Sequence, residues 1–124
     1  MDLQRLKRDI AEANEHFTYL EAVPDGVGGL SAKAVLQTAM KRMYVLSISF
    51  AEYPLKMPTI HVTKPQITHS KHRYNAGNIC YMHPNFWNPG KHDLKYALAQ
   101  AAVWLNKHEV YEQTNRWPGP GLSH

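Results

Sequence analysis

The chain has 124 residues, 44% of them hydrophobic and 19% charged, with a formal net charge of +4. That is the length of one domain with a single core, and the apolar fraction is too high for a disordered chain. The charge is mildly basic without a dense Lys/Arg run, so nucleic-acid binding is not indicated; an acidic protein partner accounts for the charge equally well.

Leu3, Leu6, Ile10, Ala13 and Phe17 recur at steps of three and four and predict an amphipathic helix over residues 2–17. Arg5, Lys7, Arg8 and Glu12 fall largely off that stripe. Pro24-Asp25-Gly26 and Gly28-Gly29 close this first unit with a turn. Two runs rich in strand formers follow, Ala32 to Met40 and Met43 to Phe50, with Lys41-Arg42 between them as a tight hairpin that lacks the preferred glycine. Pro54 and Pro58 bound a short extended link, and Thr59 to Thr63 reads as a third or fourth strand stopped by Pro65. Residues 64–90 have little periodicity, and a stretch of that length inside a small domain is usually functional. Asp93 is placed to cap a second helix over residues 93–110, with Leu94, Ala97, Leu98, Ala101, Val103, Trp104 and Leu105 on its buried face. The tail NRWPGPGLSH is irregular. The pattern predicts one α+β domain over residues 1–124, with an antiparallel sheet flanked by two helices.

The aperiodic stretch holds the only cysteine, Cys80, together with His69, His72 and His83. A lone cysteine forms no intrachain disulfide. The charged N-terminus MDLQRLKRDI does not resemble a signal peptide, and no apolar run approaches the roughly 20 residues that span a bilayer. The expected location is therefore cytoplasmic, where the thiol stays reduced. A thiol titrates near pH 8.5, so a neighbouring imidazole helps it react as a thiolate. His83 ranks first as that neighbour, three residues beyond Cys80 and stiffened by Pro84; His72 ranks second on position. Asn75, Asn78 and the backbone N–H groups near Gly77 are candidate donors to an oxyanion.

The order of elements and the local strings resemble the ubiquitin-conjugating enzymes. Tyr53-Pro54-Leu55-Lys56-Met57-Pro58 is similar to that family's YPxxPP segment. Gly77-Asn78-Ile79-Cys80 is similar to its G-x-I-C active-site string, and Trp87-Asn88-Pro89 to the W-x-P that follows. The resemblance covers about residues 2–112 and is closest to the minimal prokaryotic members. These occur beside ubiquitin-like proteins, activating enzymes, or the cGAS-like nucleotidyltransferases of CBASS antiviral operons.

The resemblance implies a meander sheet and a thioester carried on Cys80. The acyl donor would be the C-terminus of a ubiquitin-like protein or of a cGAS-like enzyme, and the acceptor a lysine amine. It implies no cofactor, and an activating enzyme that docks on the first helix, where Arg5, Lys7 and Arg8 lie. Trp87 would pack under the active-site flap. One departure is plain: the family's His-Pro-Asn precedes the cysteine, whereas here His69-Ser70-Lys71-His72 occupies that stretch and His83-Pro84-Asn85 follows it. Glu109 and Glu112 stand near where the family often carries an acid that orients the incoming lysine, but the residues alone read as a solvated helix end.

Two other readings fit the same residues. His69-x-x-His72 and Cys80-x-x-His83 have the internal spacing of two zinc-ligand pairs. A non-catalytic binding module of the same fold, with a vestigial cysteine, is the other.

Overall fold

The computed structural model describes residues 2–67 and 77–119. The order of elements is α1 (Leu3–Asn14), β1 (Tyr19–Pro24), β2 (Leu30–Gln37), β3 (Met43–Ser49), β4 (Thr59–Lys64), a single 3₁₀ turn (Pro84–Phe86) and α2 (Leu94–Thr114). The strands form one antiparallel meander, β1-β2-β3-β4. This is the expected α+β, UBC-like arrangement.

Helix α1 begins where Asp2 accepts the Arg5 N–H, which satisfies one of the orphan donors of the first turn. Its predicted stripe is buried at Leu6, Ile10 and Ala13, and Phe17 packs on from the side. Helix α2 begins at Asp93, whose carboxylate accepts the Tyr96 N–H, and it runs a full turn beyond the predicted end to Thr114. Leu94, Ala97, Leu98, Ala101, Trp104 and Leu105 are buried. Val103 is not; at 46% exposed it lies one step round the helix from Trp104, outside the stripe.

Strand β1 is not legible as a strand in the sequence. Its burial pattern leaves only Leu20 covered, so no alternation of apolar residues announces it. It is held by its ladder to β2, in which Leu20 faces Ala34. In β2 and β3 the alternation is clear: Ala32, Ala34 and Leu36 face Ile48, Leu46 and Tyr44 across the ladder, all buried. The connection between them is wider than a two-residue turn. Thr38 N–H donates to the Arg42 carbonyl, Lys41 N–H donates to Thr38, and Lys41 takes the left-handed backbone (φ 67°) where a glycine would serve with less strain.

The far half of α2 carries a buried polar group that the sequence pattern does not announce. Glu109 is 1% exposed and accepts a hydrogen bond from the Tyr44 hydroxyl at 2.9 Å, tying α2 to β3. It is therefore not part of a solvated helix end. Glu112 is: it lies at the rim, 3.6 Å from Arg42 and 3.2 Å from His108. Burial, and then the bond to Glu109, push the Tyr44 phenol up to about 12. Tyr53 is raised in the same way, by burial and by its bond to Asp9.

A phenol whose folded value lies above its unfolded value of 10.0 holds its proton longer in the folded state. The resulting stabilisation is complete below about pH 10 and is lost as the pH rises towards about 12. Urea denaturation across this alkaline range is expected to show stability falling with pH. In Tyr44→Phe the fall is shallower, and at neutral pH the variant is less stable by about 1–3 kcal/mol, because a buried carboxylate has lost its donor.

Candidate active site around Cys80

The site is built on a segment that cannot pair as a strand. Pro54 and Pro58 lack an N–H, so the stretch between β3 and β4 offers carbonyls without the reciprocal donors of a ladder. Side chains and backbone from around the cysteine answer those carbonyls. The Trp87 indole N–H donates to the Pro54 carbonyl at 2.8 Å. The Tyr81 hydroxyl donates to the Pro58 carbonyl at 2.5 Å. Just beyond, at the start of β4, the Ile60 carbonyl accepts the Ile79 N–H at 2.9 Å. Cys80 therefore lies between two residues that are each bonded to the same stretch of chain.

The clamp is anchored from below by aromatic packing. Trp87 lies against Tyr53 and His92, with centroids 6.1 and 5.4 Å apart, and His92 stacks on Tyr96 at 4.3 Å. Trp87 is 8% exposed, so it is a core residue as well as a donor. The Tyr53 hydroxyl donates to the buried Asp9 carboxylate, which Arg5 also contacts at 3.1 Å. Arg5 reaches on to the His92 carbonyl at 2.9 Å. Arg5 is thus held inside the fold, while Lys7 and Arg8 remain exposed on α1.

Cys80 itself is 2% exposed, and Ile79, Tyr81 and Met82 beside it are buried too. His83 has a defined role at the end of this run. Its Nδ1 accepts the Asn85 N–H at 3.1 Å and so caps the 3₁₀ turn, and its ring meets Phe86 edge-on at 5.8 Å. In a neutral imidazole, an Nδ1 that accepts leaves the proton on Nε2, so His83 presents a donor on that side. His69, His72 and Asn75 lie outside the described residues. Asn78 lines a cleft of about 500 Å³ together with Leu55, Met57, Thr59, Pro84 and Asn85.

The zinc reading needs His69 and His72, outside the described residues. Among the described residues no three His, Cys, Asp or Glu side chains come together to hold a metal. Glu109, considered for orienting a lysine, is bonded to Tyr44 in β3.

One residue that the sequence did not single out flanks the segment. His61 is on β4, next to Ile60, and a Cβ at Gly77 would lie 4.0 Å from its Cδ2. Gly77 itself has φ +90°, a backbone conformation that favours glycine. Its place in a strand, outside the aperiodic stretch around Cys80, leaves it without a sequence signal.

The sequence matches the family described as Type II CBASS E2 protein over residues 9–124. The chain belongs to this family. It is thus one of the E2-like proteins of CBASS antiphage defence. No match to it is found among curated proteins. No described helix is long and apolar enough to cross a membrane.

Replacing Trp87 by Phe keeps an aromatic ring but removes the donor to the Pro54 carbonyl. Stability measured by urea denaturation is expected to fall by about 1 kcal/mol, the usual net contribution of one hydrogen bond, at a partly buried acceptor.

Proposed function

We propose that this CBASS E2 protein is a conjugating transferase that carries a protein C-terminus as a thioester on Cys80. The observation that carries the reading is the place of Cys80: the only thiol of the chain, in a G-x-I-C string, on a segment pinned at both sides within a UBC-like fold. The acyl donor is a ubiquitin-like protein or the C-terminus of a cGAS-like nucleotidyltransferase, and the acceptor is a lysine amine. An activating enzyme docks on α1 through the exposed Lys7 and Arg8, Arg5 being already engaged within the fold.

Charging forms a bond from the Cys80 sulfur to the activated carboxyl carbon and expels the activating group. In the second step the amine nitrogen attacks that carbon, the C–N bond forms and negative charge develops on the acyl oxygen; the Nε2 proton of His83 and the side-chain amide of Asn78 are donors suited to it. The nitrogen then gives up its proton to solvent, the carbonyl re-forms as the C–S bond breaks, and Cys80 leaves as a thiolate. The cleft beside Asn78 offers room for an extended, small-residue tail leading to the thioester.

Burial of Cys80 favours a second reading, in which the thiol is a packing residue of a non-catalytic module. The two differ in how the thiol becomes reachable. A carrier needs local opening of the Cys80 segment, so iodoacetamide should label the native protein faster than it unfolds globally, with little effect of low urea. Labelling that tracks global unfolding would favour the packing role.

The activity test is co-expression with the other genes of the operon, read on non-reducing gels. Wild type is expected to give a thiol-labile adduct and Cys80→Ser a more stable oxyester or none. Cys80→Ala is expected to abolish transfer while remaining folded. Conjugation at the normal rate by Cys80→Ala would remove Cys80 from the mechanism.

A further inference from the structure

We infer that Tyr81 is a positioning residue for the thiol: its hydroxyl bond to the Pro58 carbonyl is a latch that holds the Cys80 segment closed, and release of that bond presents the sulfur to the acyl donor. The inference deepens the proposed transferase reading and rests on it.

The argument begins with burial. Cys80 is 2% exposed, and Ile79, Tyr81 and Met82 are buried with it. Attack on an activated carboxyl group brings sulfur and carbon to about 3–3.5 Å, with the rest of the acyl donor attached to that carbon. A buried sulfur cannot be approached in this way, so the segment moves before charging. The tethers on either side of the thiol are visible. The Ile79 N–H donates to the Ile60 carbonyl at 2.9 Å, and the Tyr81 hydroxyl donates to the Pro58 carbonyl at 2.5 Å. The two acceptors flank Thr59 at the entry to β4, and the two donor residues flank Cys80.

The two tethers differ in kind. The bond at Ile79 joins backbone to backbone, and breaking it moves the main chain away from β4. The bond at Tyr81 is made by a phenol at the end of a side chain, and a change of rotamer is enough to break it. Ile79 is therefore the hinge and Tyr81 the latch. Beyond Met82 the chain is held again, by the His83 cap of the 3₁₀ turn and by the bond from Trp87 to Pro54. Opening is thus confined to the few residues between Ile79 and that turn.

Release of such a latch is cheap and reversible. In the opened chain water answers both the phenol and the Pro58 carbonyl, so neither is stranded. The net effect of one hydrogen bond on the ratio of closed to open chains is about 5- to 10-fold. Charging then holds the segment open. An acyl group on sulfur cannot fit the close-packed space that the buried thiol fills. The latch acts before the thioester forms and has no part in the attack of the amine.

The experiment separates access from chemistry and from global stability. Tyr81→Phe keeps the ring and removes the latch. Tyr44→Phe makes the same chemical change at the opposite end of the core, where the lost bond is to Glu109. The full chain of wild type and of each variant is treated with iodoacetamide in native buffer, and labelling of Cys80 is followed by intact mass. Tyr81→Phe is expected to label about 5- to 10-fold faster than wild type. Tyr44→Phe is expected to label at the wild-type rate although urea denaturation shows it to be less stable. In a second arm the Cys80 sulfur displaces mercaptoethanesulfonate from a glycine-terminated peptide thioester. Tyr81→Phe is expected to charge faster by the factor seen in labelling, and to discharge to free lysine as wild type does.

Labelling of Tyr81→Phe at the wild-type rate overturns the inference. Equal acceleration in Tyr44→Phe overturns it as well, because the effect would then be one of general stability. So does an equal change in charging and discharge, which would place Tyr81 in the chemistry and not in access. A measurement on wild type alone guards against a variant that fails to fold: the Ile79 amide, at the hinge, is expected to exchange with deuterium more slowly than Cys80 opens to iodoacetamide. Exchange of that amide at the rate of Cys80 opening overturns the assignment of hinge and latch. Failure of wild-type Cys80 to accept the acyl group overturns the transferase reading, a result independent of the labelling rates.

Discussion

The structure turns on a stretch of chain whose carbonyls have no ladder to join. Proline at 54 and 58 removes two N–H groups between β3 and β4, and the acceptors that remain must be answered from elsewhere. They are answered by Trp87 and Tyr81, with Ile79 bonded to Ile60 just beyond. All three donors lie within eight residues of Cys80. Satisfying the backbone of one segment therefore fixes the path of the other, and with it the place of the thiol. Each net hydrogen bond contributes only about 1 kcal/mol, but leaving a buried carbonyl unanswered costs more, which makes the arrangement specific.

The same segment is tied to the first helix. Tyr53 donates to Asp9, Asp9 holds Arg5, and Arg5 reaches the His92 carbonyl just before α2. The Asp2 N–H also donates to the Tyr53 carbonyl. Burying a carboxylate is costly unless it is paired and hydrogen-bonded, and Asp9 is both. The helix proposed to receive an activating enzyme thus shares a buried charged network with the clamp around the cysteine. At the opposite end of the core, Glu109 and Tyr44 join α2 to β3, so the two helices are each fixed to the sheet region by one buried tyrosine–carboxylate bond.

Histidine chemistry around Cys80 is divided by geometry. His83 follows the cysteine closely in sequence, which made it the first candidate partner, and its observed engagement is as the cap of a 3₁₀ turn. That engagement fixes its tautomer and gives it a donor's character. His61, on β4, lies against Gly77 at the start of the segment.

The sequence by itself determined both helices, the cap at Asp93, the strands β2, β3 and β4, and the string around Cys80. In each case the determining signal is local: a period of 3.6 or 2, a capping side chain, or a proline. It did not determine β1, whose single buried residue leaves no period and whose existence depends on pairing with β2. Nor did it reveal that Arg5 and Glu109 are inward-facing, since charged residues read as solvent-facing until a buried partner is in view. The burial of Cys80 and the placing of His61 against Gly77 were decided by tertiary structure alone. The bond that joins the cysteine segment to β4 links Ile60 and Ile79, nineteen residues apart, and no local pattern encodes a bond of that separation.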